Sequence, residues 1–163
     1  MASRRSVYLL LGSNLQNPKK QLVRAKAMIE HMIARIIKSS GVFKSEAWGL
    51  TDQPAFYNEV IKLHTTRSAD TLLRIIKSIE STMGRVSLVK WGPRLIDIDI
   101  LFLGNEIIHS RKLIIPHPRI KERRFTLLPM TVISPGLKHP VYGKSMIKML
   151  DECSDPLKVT AIL

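Results

Sequence analysis

The chain has 163 residues, of which 45% are apolar and 24% charged, a balance that supports a packed core and excludes a disordered basic tail. Its 26 Lys+Arg against 13 Asp+Glu leave a formal charge of +13, which suits either a nucleic-acid binder or an enzyme for small polyanions. A lone cysteine, Cys153, excludes an internal disulfide framework and a cysteine-rich zinc site.

Ser6 to Leu11 reads as a buried strand ended by Gly12-Ser13-Asn14. Its apolar run is shorter than the roughly 7–15 residues of a signal-peptide core. No stretch reaches the ~18–20 apolar residues of a membrane span. The expectation is therefore a soluble, cytoplasmic, single-domain protein spanning residues 1–163, with no membrane partner.

Asn17-Pro18 is a helix start, and Leu22, Ala25, Ile29, Met32 and Ile36 follow at helical spacing. A single strand is expected over Ile36 to Lys44, then a loop from Ser45 to Pro54. Alternation over Phe56 to Thr66 predicts another strand, with Phe56, Asn58 and Val60 on one face and Tyr57, Ile61 and Leu63 on the other. Ser68 or Asp70 caps a second helix whose apolar face is Leu72, Ile76, Ile79 and Met83, stopped by Gly84. A basic loop covers residues 85–93. Leu95 to Leu103 is the strongest strand, with Ile96, Ile98, Ile100 and Phe102 read as its core face. Gly104-Asn105 is a tight-turn candidate leading into Ile107-Ile108, and short helices and loops follow. The order β-α-β-β-α-β is that of a ferredoxin-like α+β fold, a mainly antiparallel sheet with helices packed on it.

Asp97 and Asp99 are the centre of the chemistry. In a strand, residues i and i+2 point to one face about 6.5–7 Å apart. Two partly buried like charges repel unless one is protonated or a cation lies between them. A hard divalent cation resolves this, and Mg²⁺ typically takes one or two carboxylates and fills the remainder with water and phosphates. The structural alternative is an ion pair with a nearby arginine such as Arg94. Arg85, Lys90 and Arg94 flank these aspartates with groups that bind phosphate. Pro116 and Pro118 hold His117 on a stiff segment shortly before Arg123 and Phe125. Phe56 and Asn58 share a strand face, an aromatic and an amide suited to a flat heterocycle. No G-x-x-x-x-G-K-[ST] occurs, which excludes a P-loop kinase.

Lys-Trp-Gly-Pro-Arg-Leu-Ile-Asp-Ile-Asp-Ile-Leu at 90–101 resembles the signature of the 6-hydroxymethyl-7,8-dihydropterin pyrophosphokinase family. Gly12-Ser13-Asn14, Asp52-Gln53-Pro54-x-Phe56-x-Asn58, and Pro116-His117-Pro118-Arg119 with Arg123 and Phe125 extend the resemblance along the chain in order. It implies a ferredoxin-like fold, ATP and 6-hydroxymethyl-7,8-dihydropterin as substrates, and two Mg²⁺ ions. The β,γ-pyrophosphoryl unit of ATP would pass to the pterin hydroxymethyl oxygen in folate biosynthesis, releasing AMP.

By the same resemblance, Asp97 and Asp99 match the Mg²⁺ ligands, and with Arg85 and Arg94 form the expected catalytic set. Phe56 and Phe125 match the aromatics that sandwich the pterin, Asn58 the amide that reads its edge, and Ser45 and Trp48 positions lining the same pocket. Arg85, Trp91, Arg94, Lys112, His117 and Arg123 match the nucleotide side, as do Glu80 and Ile100. Three positions depart from the family pattern. Ser87 stands where a base is common, so the lid is expected to contribute fewer cations. Glu46 replaces a common proline, so the pterin loop is expected to be less rigid. Ile114 is expected to remove one nucleotide hydrogen bond. The expected protein is a monomer without a nucleic-acid partner. The two rival readings are a nucleic-acid-binding ferredoxin-like module, with Phe56 and Tyr57 as a stacking platform, and a different small-molecule kinase.

Overall fold

Alternating apolar residues build the sheet, and capped amphipathic segments build the helices that cover it. The computed structural model describes residues 2–85 and 90–162. Its elements are β1 (Arg5–Ser13), α1 (Pro18–Met32), β2 (Ile36–Ser39), β3 (Phe43–Ser45), β4 (Phe56–Thr65), α2 (Ala69–Thr82) and β5 (Asp97–Leu103). Beyond these lie β6 (Ile108–His109), β7 (Ile114–Ile115), a 3₁₀ turn at Ile120–Glu122, α3 (Arg124–Ile133), α4 (Met146–Glu152) and β8 (Val159–Ala161). The main sheet runs β5-β1-β4-β3-β8, with β2 also paired to β4, and all its pairings are antiparallel. With α1 and α2 as the crossovers, this is the expected ferredoxin-like α+β arrangement. No helix among the described residues is long and apolar enough to cross a membrane.

The helix signals are the expected ones. Asn17 caps α1 by accepting from the Lys20 N–H, with Pro18 in the first turn. Ser68 rather than Asp70 caps α2, accepting from the Thr71 N–H at 3.2 Å. Gly84 takes the left-handed conformation (φ 87°) just beyond that helix.

Three strand expectations need correction. The single strand over Ile36 to Lys44 is two, because the chain bulges at Ser40-Gly41. The Val60 N–H donates to the Ser40 hydroxyl at 3.0 Å, and Gly41 has φ 74°. Residues 107–108 do not extend β5 into a hairpin. Ile108 pairs with Ile115 in a separate two-stranded sheet. In β5 itself, Tyr8 pairs with Phe102 while Leu9 pairs with Ile100, so Leu101 is an extra residue. The bulge switches the alternation: Phe102 joins the aspartate side of the sheet and Leu103 the opposite side.

The sheet is thus covered on both faces. Val7, Leu9, Leu11, Ile98 and Ile100 pack against Leu22, Ile29, Leu72 and Ile76 of α1 and α2. Tyr8, Leu10, Val60 and Phe102 pack against Leu127, Met130, Met146 and Met149 of α3 and α4. Cys153 is buried in this second core as a free thiol.

Candidate active site

Residue 12 is where the site begins. In the sheet, Gly12 pairs with Asn58 on one side and with Asp97 on the other, and Leu10 pairs with Val60 and Asp99. Phe56, Asn58, Asp97 and Asp99 therefore line one cleft with Leu10 and Gly12, across three adjacent strands, just beyond the end of the α3–α4 core. A Cβ on Gly12 would lie 3.0 Å from Asn58 Oδ1 and 3.9 Å from Phe56 Cδ1, so the glycine leaves these two side chains their room. The Asn58 amide nitrogen donates to Ser45 Oγ at 2.8 Å, both groups being buried, and this bond orients the amide. Tyr57 lies on the opposite face, against the α1–α2 core. The two aromatics thus share no stacking surface.

Ser45, Trp48, Trp91, Arg94, Arg123 and Phe125 line the same cleft. Trp48 and Trp91 meet edge to face, with ring centroids 5.1 Å apart. The Arg123 guanidinium lies over Trp48 at 4.7 Å and over Phe125 at 5.4 Å. Trp91 has φ 58°, an uncommon conformation for so large a residue. It is seated against Gly49, where a Cβ would come within 2.7 Å of the indole.

The acidic pair has neighbours of both signs. Arg85 Nη2 is 3.1 Å from Asp97 Oδ1, and its Nε is 3.4 Å from Glu80 Oε2. The alternative of an aspartate–arginine ion pair is therefore realised at Asp97, with Arg85 in place of Arg94. Burial and the like charge of Asp97 raise the Asp99 pKa to about 7. His117 Nε2 lies 4.0 Å from Asp99 Oδ2, while its Nδ1 accepts the Arg119 N–H at 3.2 Å. A ring that accepts at Nδ1 carries its proton at Nε2, facing Asp99. Burial, reinforced by the Arg123 charge, lowers the His117 pKa to about 4, so the ring is neutral at pH 7.

Glu80, Ile100 and Lys112 lie outside the cleft lining, whereas Arg94 and Glu46 belong to it. Glu80 is buried beneath β5, where Oε2 accepts the Ile98 N–H at 3.0 Å, so it acts on the cleft through Arg85. The Ile100 side chain belongs to the α1–α2 core, on the face away from the cleft. Lys112 is exposed in the turn between β6 and β7, and Ile114 is exposed beside it. Lys90 lies over the Trp91 ring at 4.6 Å. Arg94 is buried, with Nη1 donating to the carbonyls of Gly92 and Pro93. Ser87 lies outside the described residues. Glu46 does not leave its loop loose: its N–H donates to the Lys158 carbonyl and its Oε1 accepts the Lys158 N–H at 2.7 Å.

Asn14 and Gln53 were visible as motif residues but without a role. Asn14 Oδ1 accepts the Arg94 N–H at 2.8 Å, and its amide donates to Gln53 Oε1 and to the Pro54 carbonyl. Gln53 in turn donates to the Trp91 carbonyl at 2.7 Å. These bonds tie the loop before β4 to the segment before β5, and only the turn-like Gly-Ser-Asn hinted at them.

Residues 8–135 match the profile of the family described as 7,8-dihydro-6-hydroxymethylpterin-pyrophosphokinase. The chain is 40% identical over 141 residues to the 2-amino-4-hydroxy-6-hydroxymethyldihydropteridine pyrophosphokinase of Aquifex aeolicus, covering 86% of this chain and 88% of that one. It is 42% identical over 150 residues to the folic acid synthesis protein fol1 of Pneumocystis carinii, covering 92% of this chain but only 20% of that relative. Among solved structures, it superposes on the Plasmodium falciparum HPPK-DHPS complex with pteroate at a TM-score of 0.77 and 16% identity, covering 92% of this chain and 42% of that one. That last likeness concerns the fold.

Proposed function

The chain belongs to the 7,8-dihydro-6-hydroxymethylpterin-pyrophosphokinase family, and from that premise we propose how its cleft performs the reaction. The enzyme transfers the pyrophosphoryl unit of ATP to the hydroxymethyl group of 6-hydroxymethyl-7,8-dihydropterin, giving the pterin diphosphate and AMP in folate synthesis. The observation that carries the assignment of parts is the common face of Phe56, Asn58, Asp97 and Asp99 around Gly12. It sets a stacking ring and an oriented amide beside two carboxylates.

Phe56 and Phe125 stack on the pterin, and Asn58, held by Ser45, reads its edge. Trp48 and Trp91 form the outer wall. Arg85, Arg94, His117 and Arg123 face the phosphates, with Lys112 nearer the nucleoside and Glu80 and Ile100 shaping the nucleotide side from behind β5. A neutral His117 with its proton on Nε2 donates a hydrogen bond to a phosphate oxygen without adding charge.

Asp97 and Asp99 fit Mg²⁺: they are paired oxygen donors, and Asp99, whose pKa is raised by burial first and by the Asp97 charge second, is a carboxylate that a cation would favour in its ionised form. Two Mg²⁺ ions are expected there with ATP. When bound, Mg²⁺ supplies charge neutralisation on the phosphates and acidifies the attacking hydroxyl, so no side chain is assigned as general base. Attack of the pterin oxygen on the β-phosphorus breaks its bond to the α-phosphate oxygen, and AMP leaves. We take residues 1–163 to work as one pyrophosphokinase domain, cytoplasmic and monomeric, on small molecules, without a nucleic-acid or membrane partner.

Product analysis tests this reading. With ATP, Mg²⁺ and the hydroxymethylpterin, AMP accumulates one for one with pterin diphosphate. ADP as the nucleotide product overturns it in favour of a simple kinase.

A further inference from the structure

The last turns of the chain touch both walls of the pterin cleft. α3 has no side-chain cap from Arg123, the residue preceding it. Its first N–H, that of Arg124, donates instead to Asp155 Oδ2 at 3.0 Å, from 31 residues away. Arg124 then grips the same segment, with Nε on the Asp155 carbonyl and Nη2 on the Cys153 carbonyl. Asp155 is itself buried, and its other oxygen accepts the Leu157 N–H at 3.0 Å. A carboxylate at a helix N-terminus is favourably placed, and here it fixes the turn that carries Arg123 and Phe125.

Three residues on, the segment reaches the other wall. Lys158 exchanges two hydrogen bonds with Glu46, one to its side chain and one from its backbone, and Val159 pairs with Ser45 in the sheet. Ser45 is the residue that orients Asn58. A proline at position 46 could make neither bond, since it has no N–H and no carboxylate.

We propose that Asp155 and Glu46 are positioning residues for the pterin: the segment 153–161 braces the cleft, setting the spacing between the Phe125 wall and the Ser45–Trp48 wall. The inference rests on the pterin reading of the cleft. None of the bonds described for the brace reaches Arg85, Arg94, Asp97, Asp99 or His117, so loss of its Glu46 end acts on the pterin and spares the nucleotide, while loss of its Asp155 end acts on the pterin through Phe125 and on the phosphates through Arg123 alone.

The test compares D155A, D155N, E46A and E46Q with the natural chain. Steady-state kinetics vary each substrate at saturating levels of the other, and pterin Kd is read by fluorescence. D155A and E46A each raise the pterin KM and Kd about tenfold, as expected when a charge-assisted bond holding a binding wall is lost. The ATP KM stays within about twofold in E46A and rises less than the pterin KM in D155A, where Arg123 shifts with its turn. D155N and E46Q keep a neutral acceptor and recover most of the pterin affinity. An unchanged pterin Kd in both alanine variants overturns the brace, as does a parallel rise in both KM values in E46A, which would signal general loosening. If D155A does not fold, E46A decides, because Glu46 is exposed. A natural chain that turns over ATP but binds no pterin overturns the cleft reading itself, and the brace with it.

Discussion

The Arg85 Nη2 lies 3.1 Å from Asp97 Oδ1, so the cation proposed for phosphate is already engaged by a carboxylate proposed for metal. Glu80 holds the same guanidinium from behind, with Oε2 3.4 Å from Nε. Were Asp97 to hold a cation, Arg85 would lose one carboxylate partner and keep the other, Glu80, leaving its guanidinium available to the phosphates. Arg85→Ala is expected to lower kcat by about 10²–10³, the size of losing one preorganised donor. Mg²⁺ binding in the absence of nucleotide is expected to hold or tighten, because the competing charge is gone. Calorimetric titration with Mg²⁺ checks this, and weaker binding would contradict it.

Gly12→Ala puts a methyl group 3.0 Å from the Asn58 amide oxygen, in a sheet row that cannot move aside. The amide must give by a few tenths of an ångström against its bond to Ser45, at a cost of about 1–3 kcal/mol for an overpacked site. The pterin KM rises while the ATP KM stays near its starting value. Thermal unfolding run alongside separates loss of fold from loss of fit.

Removing either acid of the proposed metal pair, Asp97→Ala or Asp99→Ala, is expected to nearly abolish turnover. The natural chain adds a pH signature. Burial and Asp97 hold the Asp99 pKa near 7, and a proton there competes with a cation. Mg²⁺ affinity of the nucleotide-free protein therefore rises as pH increases through about 7. Asp97→Ala removes the like charge and lowers the Asp99 pKa, which is read without Mg²⁺ from the pH dependence of the carboxyl NMR shift.

His117 gives a stability signature of opposite kind. Its pKa falls from 6.5 in the unfolded chain to about 4 in the folded one, through burial first and the Arg123 charge second. Between those values the unfolded chain binds a proton and the folded chain does not. Stability is therefore held above pH 6.5 and lost as pH falls toward 4, by an amount on the order of 2–3 kcal/mol. His117→Asn retains an acceptor for the Arg119 N–H but cannot titrate, so its stability falls less over that window. Urea unfolding at several pH values measures the difference.

Periodicity and capping located the helices α1 and α2 and the strands β1, β4 and β5, because each buries a face whose spacing is local. The same local reading put Phe56, Asn58, Asp97 and Asp99 on usable strand faces. It failed where a distant partner decides the outcome. The bulge at Ser40 exists because Val60 takes a hydroxyl in place of a carbonyl. β8, too short and mixed to show alternation, exists because β3 offers it an edge. Asn14, Gln53 and Glu46 act through hydrogen bonds to residues 38 to 112 positions away, which no local pattern carries. Glu46 was expected to loosen its loop, and its backbone pairing with Lys158 does the reverse.

The extra residue in β5 has an effect on the other side of that strand. Beyond the pairing with β1, the Leu101 carbonyl accepts the His117 N–H at 3.1 Å. A deletion of Leu101 would bring β5 back to strict alternation with Phe102 still opposite Tyr8, whose ring it meets edge-on at 6.0 Å. What it would remove is the hook from which the Pro116-His117-Pro118 segment hangs. The inserted residue thus serves the histidine at the mouth of the cleft, and shortening the chain by one would evict His117 while leaving Phe102 in its place.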